Sequence, residues 1–167
     1  ADSLLEQRPA ASSEIAQTLQ QCWPIHPIVT CLLGPISRRR FGQNQRSIFG
    51  FLNSAEPQGL QDFLRHANDG DLYTPELLWD YLQYNLEPSI LASPDGHRWS
   101  LAVEAVQRCE ALGGEANHLS LLRTIALVDL FKERSGLTAN KQILLESHRD
   151  LKTRSLNKLL KQLQEWS

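Results

Sequence analysis

The densest chemistry in this chain lies in one run, Arg38-Arg39-Arg40-Phe41-Gly42-Gln43-Asn44-Gln45-Arg46-Ser47-Ile48-Phe49-Gly50-Phe51-Leu52. Guanidinium groups are permanently charged planar forks that match phosphate and carboxylate oxygens. A helix over residues 43–53 is predicted here. It places Ile48, Phe49, Phe51 and Leu52 on one apolar face, and Gln43, Arg46 and Gly50 on the other side. Arg46 then stands away from the core of its own helix, and Gly50, one turn on, leaves room for a close approach. An arginine at the start of an anchored helix can grip an anion. The same pattern also describes a solvated arginine face on an ordinary helix.

A second concentration of charge lies near the end of the chain. Arg154, Lys158 and Lys161 recur at i, i+4 and i+7 on a predicted amphipathic helix, with Arg149 and Lys152 just before it. From position 141 onward there are six basic residues (141, 149, 152, 154, 158, 161) against three acidic ones (146, 150, 165). That excess suits contacts to nucleic-acid phosphates, and equally a solvated lysine face on a core helix.

The remaining reactive side chains carry weaker signals. Cys22, His26 and Cys31 are loosely spaced like metal ligands, but no fourth ligand is nearby and buried thiols are the default. No Ser-His-acid or Cys-His arrangement has supporting local sequence. Asp69 and Asp71 flank a glycine and read as a turn, His118 and His148 read as structural, and His66 as a surface residue. No Gly-x-x-x-x-Gly-Lys-Ser/Thr loop occurs, so this chain by itself cannot hold a nucleotide in the P-loop manner and is expected to show no ATPase activity.

The elements that must position these residues are helices. No convincing period-two stretch occurs, and apolar residues recur at helical spacing throughout, predicting an all-α chain of about eight helices. Ser12 or Ser13 starts a helix to about Trp23, and the Trp23-Pro24-Ile25-His26-Pro27 break follows. The helix from Pro27 is expected to stop at Gly34-Pro35. After the arginine segment come a short helix ending near His66 and a helix from Thr74-Pro75-Glu76 to about Leu86. Residues 87–97, with Pro88, Pro94 and Gly96, are predicted to form a loop or hinge. A helix over residues 98–112, stopped by Gly113-Gly114, precedes the most apolar helix, residues 115–132. Thr138 and Thr153 are the expected caps of the last two helices.

Composition sets outer limits. The 167 residues allow one domain or two small ones. A hydrophobic content of 41% with 22% charged residues is ordinary for a globular protein. The net charge of −2 means that any nucleic-acid site is a local patch. No apolar run approaches the ~18 residues of a membrane span. Three cysteines without framework spacing predict reduced thiols and a cytoplasmic protein. The absence of methionine and the start at Ala1 look like those of a piece of a longer polypeptide, and removal of an initiator methionine would also explain the start.

The order His-Pro-Ile-Val-x-x-Leu-Leu, starting at His26, followed by Arg-x-Phe-Gly-Gln-Asn-x-Arg-Ser-Ile-Phe-x-Phe-Leu resembles the segment after the P-loop core in large bacterial AAA+-type ATPases. These are similar to origin-recognition ATPases, and several serve anti-phage defence. The resemblance implies a helical lid over residues 1–90 and the helical part of a winged-helix domain, a helix-turn-helix unit, over residues 91–167, the chain stopping where a β-hairpin wing would begin. It implies ATP and Mg in the parent protein but none for this piece alone. Arg46 takes the place of the sensor-2 arginine that reaches the nucleotide phosphates, with Gln43, Asn44 and Arg40 shaping or sharing the site. The spacing from Gly42 to Arg46 is one residue longer than the common Gly-x-x-Arg form, so one of Arg38–Arg40 is an alternative phosphate-facing group. Implied partners are the missing P-loop core, DNA through Arg149, Lys152, Arg154, Lys158 and Lys161, or other subunits. The alternative is a freestanding all-α interaction module with no nucleotide role.

Overall fold

The computed structural model describes residues 13–39, 48–53 and 55–166. The described chain is all-α. Its one β-type contact is an isolated parallel bridge between Ile25 and Tyr73, where the Tyr73 N–H donates to the Pro24 carbonyl and the His26 N–H to the Tyr73 carbonyl.

Helix α1 spans Ser13–Gln21 and α2 spans Pro27–Arg38. The two-proline break separates them as expected. His26 caps α2, its Nδ1 accepting the Ile28 N–H at 3.2 Å, and Pro27 takes the first turn, where its missing N–H costs nothing. Contrary to the sequence expectation, α2 passes through Gly34-Pro35. A proline clashes with the Cβ of the residue before it, and Gly34 has none. The packing supplies the rest: Ile28, Val29, Leu32, Pro35 and Ile36 form one continuous buried face that a break would split.

Two short helices follow, α3 over Ile48–Asn53 and α4 over Leu60–His66. Phe51 meets the rings of Tyr73 and Tyr81 edge-on, each at 5.1 Å, and the Gln61 amide donates to the Leu52 carbonyl at 2.8 Å.

Helix α5, Pro75–Leu91, starts at the Thr74 cap as predicted but runs beyond Leu86. Pro88 lies inside it on the exposed side. The carbonyl deprived of a donor, that of Tyr84, belongs to a residue on the same wet face, so water can replace the lost bond. The expected loop over residues 87–97 shrinks to residues 92–95, after which α6 runs over Gly96–Ala111. This tight corner depends on Gly96, where a Cβ would lie 2.2 Å from the Leu91 carbonyl oxygen. Trp79 of α5 and Trp99 of α6 stack at 4.5 Å with an interplanar angle of 20°. Each indole N–H is satisfied, by Gln83 and by Glu87.

Helix α7, Ala116–Leu130, is the axis of the molecule and touches α5 and α6 as well as both C-terminal helices. The single-turn α8, Lys132–Ser135, ends at left-handed Gly136, φ 68°. Helix α9 spans Lys141–Ser147 and α10 spans Thr153–Glu165. Both expected caps shift by a short step. Asn140, not Thr138, accepts the Ile143 N–H on its side chain at 3.0 Å. Lys152, not Thr153, takes the N-cap position of α10, without a side-chain cap bond.

The main core joins Leu32 and Val29 of α2, Trp79 and Leu82 of α5, Trp99 of α6 and Leu127 of α7. Side chains from both sides of residue 90 therefore share one cluster. A second, smaller core holds Leu121, Leu144 and Leu156, one each from α7, α9 and α10.

Candidate nucleic-acid interface

The small core explains how the C-terminal basic residues are displayed. Leu156, Leu159, Leu160 and Leu163 turn α10 inward against Leu121 and Ile125 of α7 and Leu144 and Leu145 of α9. That alignment consumes the apolar face and leaves the opposite face to water. Lys152, Arg154, Lys158 and Lys161 are all exposed there, and Arg149 is exposed in the turn before. Between positions 152 and 164 there is no carboxylate. The flanking acids reach only weakly toward the cations: Lys161 Nζ lies 3.9 Å from Glu165, and Arg149 lies 3.7 Å from Glu146. Such exposed pairs leave both charges available to a polyanion.

Helix α10 is held near both ends. In the turn before it, the neutral His148 ring donates from Nδ1 to the Leu144 carbonyl at 3.1 Å and accepts the Ser120 hydroxyl at Nε2, 2.9 Å away. Burial holds its pKa below the usual histidine value, which favours that neutral form. Near the far end, His118 accepts the Glu115 N–H at Nδ1 and donates from Nε2 to Gln162 at 3.2 Å. Its ring also packs against Trp166 with centroids 5.0 Å apart. Both histidines are thus structural, as their positions at helix ends predicted.

The second candidate site is divided. Arg40, Gln43, Asn44 and Arg46 lie outside the described residues. Arg38 is exposed, but Arg39 is engaged: its Nη1 lies 3.1 Å from Oδ2 of Asp95, which is buried at the corner between α5 and α6. The contact is charge to charge, since Asp95 Oδ2 lacks an aligned hydrogen bond. Phe51 is buried and Leu52 half-buried, as the predicted apolar face requires. Among the described residues, a Cβ at Gly50 would meet Glu56 and Tyr81 at 3.8 and 3.9 Å, ordinary contacts.

Among the described residues no three His, Cys, Asp or Glu side chains gather to hold a metal ion. His26 has its Nδ1 in the α2 cap and its Nε2 donating to the Glu146 carbonyl at 3.2 Å, and Cys22, Cys31 and Cys109 form no disulfide among the described residues. Asp71 shapes its turn by accepting the Asn68 N–H at 2.8 Å. A shallow cavity of about 230 Å³ between α4 and Tyr73 is lined by Asp62, His66 and Asp71, but Asp62 is likewise engaged, with the Gln58 N–H.

Sequence reasoning missed Arg123. It is largely buried on α7, 3.3 Å from both Glu76 and Asp80 of α5 and 3.8 Å from Glu110 of α6. Burial raises the Asp80 pKa while the Arg123 charge pulls it down. The residue clamps three helices together. Three stretches far apart in sequence build the cluster, and only the Glu76–Asp80 spacing of four carries a local signal.

No protein family, curated protein or solved structure matches this chain in comparison.

Proposed function

We propose that this chain is a non-catalytic helical portion of a multidomain, cytoplasmic ATP-binding protein, and that its C-terminal three-helix unit docks on duplex DNA. The observation that carries the reading is the small core with one buried leucine from each of α7, α9 and α10. It turns the apolar face of α10 inward and leaves Arg154, Lys158 and Lys161 on one wet face. Two helices joined by a five-residue turn and braced by a third support a helix-turn-helix reading with α10 in the place of the recognition helix, although the turn is one to two residues longer than the usual connection.

Fluorescence anisotropy with a labelled duplex tests this. Replacing Lys158 and Lys161 together by alanine removes two phosphate contacts. The slope of log affinity against log salt should fall in magnitude by about 1.8. An unchanged affinity and slope would remove α10 from the interface.

The nucleotide limb of the proposal rests on the arginine segment. Since Arg39 is occupied by Asp95, the phosphate-facing role falls to Arg46, Arg40 or Arg38, with Gln43 and Asn44 shaping the turn. In the intact protein, Arg46→Ala should cost tenfold or more in nucleotide-dependent activity, roughly the worth of one charge-assisted contact, at unchanged thermal stability. Full activity in that variant would take Arg46 out of the site. Anti-phage defence is the process this reading favours.

A second reading is an interaction module with no nucleotide role. It draws on apolar side chains left in water on α5 and α6: Tyr84 is 70% exposed and Leu101 52%. Absence of DNA binding together with capture of a protein partner through these positions would favour it.

A further inference from the structure

Docking on duplex DNA, the reading on which this inference rests, can stop at the phosphate backbone or extend to the base edges. We propose that α10 reads sequence in the major groove through Arg154 and Asn157, while Arg149 and Lys152, in the turn before it, hold phosphates and set the register.

Four observations converge on these residues. The first is position. Recognition helices meet base edges with their N-terminal turns, and Arg154 and Asn157 lie in the first two turns of α10, Thr153–Glu165. The second is chemistry. An arginine fork pairs bidentately with guanine O6 and N7, and an asparagine amide with adenine N6 and N7. The third is availability. Both side chains are exposed, and among the described residues no side-chain hydrogen bond or ion pair holds Arg154, Asn157, Lys158 or Lys152. The fourth is rigidity. The His148–Ser120 bond braces the turn before α10, and the His118–Gln162 bond fixes its far end. A reading helix must keep its side chains in register with the bases, and bracing at both ends serves that need.

The same face argues for duplex DNA over other polyanions. Arg154, Asn157, Lys158 and Lys161 recur at i, i+3, i+4 and i+7, opposite Leu156 and Leu163, so they form one stripe the width of a helix. The B-form major groove admits a helix, whereas the A-form RNA groove is too narrow and deep for side chains to read. A membrane surface calls for an apolar face free to enter lipid, and that of α10 is spent on α7 and α9.

The test uses the full 167-residue chain and a randomised duplex pool of roughly 20 base pairs, about two helical turns. Rounds of selection should converge on a short sequence. Arg154→Ala and Asn157→Ala should each lose discrimination at one base position, by roughly 5- to 150-fold. Lys152→Ala should weaken binding to all sequences alike and lower the salt slope by about 1. Arg154→Lys keeps the charge and loses the fork, so it should retain affinity for random duplex while losing the preference. Salt-sensitive binding without convergence of the pool would overturn sequence reading and leave the docking proposal standing. No binding even at about 50 mM salt would end both.

Discussion

His26 is the residue that does most for its size. Its Nδ1 caps α2, and its Nε2 donates to the Glu146 carbonyl at the end of α9. The cap requires the neutral ring, since a protonated Nδ1 cannot accept a hydrogen bond, and burial lowers its pKa to about 4. The pH dependence follows. Above about pH 6.5 the ring is neutral in both folded and unfolded chains, and its full stabilisation is present. As the pH falls from about 6.5 towards 4, the unfolded chain takes up a proton that the folded one refuses, and stability is lost. The loss approaches about 3 kcal/mol near pH 4. Urea unfolding at a series of pH values should show this decline, and His26→Asn, which can still cap α2, should flatten it. Part of the slope should survive in that variant, because His148 is shifted in the same direction. A midpoint independent of pH over this window would refute the role. At this scale the sequence was half legible. The position of His26 between two prolines marks a helix boundary, but its partner lies 120 residues away and no local pattern points to it. Arg39 is similar. It sits in a run of arginines suited to phosphate, and a carboxylate at position 95 takes it instead.

At the scale of elements, helix type and most starts were readable, while two stops were not. Thr74-Pro75-Glu76 opens α5 and Gly113-Gly114 follows the end of α6, each by local backbone chemistry. Pro35 and Pro88 misled because a proline's cost is local, whereas the packing that outweighs it is not. Buried Ile28, Val29 and Leu32 on one side and Ile36 on the other keep α2 whole. The corner between α5 and α6 makes the converse point. There the outcome hangs on one close approach, of Gly96 to the Leu91 carbonyl at 2.2 Å from an ideal Cβ position. That neighbour is backbone and cannot swing aside. Gly96→Ala should therefore destabilise by about 1–3 kcal/mol despite the better helix propensity of alanine. It should also loosen the Trp79–Trp99 stack, visible as a change in near-ultraviolet circular dichroism. A stability equal to or above that of the wild type would show that the corner relaxes freely.

At the scale of the whole molecule, α7 belongs to two cores. Leu127 and Val128 sit in the main one with the tryptophans of α5 and α6, while Leu121 sits in the small one with Leu144 and Leu156. The all-α class was legible from periodicity alone, but this sharing was not, because which face of a buried helix meets which neighbour depends on contacts distant in sequence. Leu156 is fully buried in the small core, so Leu156→Ala should cost about 2–5 kcal/mol. The small core has few buried side chains besides, and the main core does not include Leu144 or Leu156. Hydrogen exchange in the variant should therefore speed up chiefly in α9 and α10, with α5 and α6 keeping their protection. If α10 docks on DNA as proposed, duplex affinity should fall along with the protection of α10, although no charge has been removed. Uniform acceleration across all helices would mean that the two cores open as one unit, and the C-terminal helices would then owe their order to the whole bundle and not to the leucine cluster beneath the basic face.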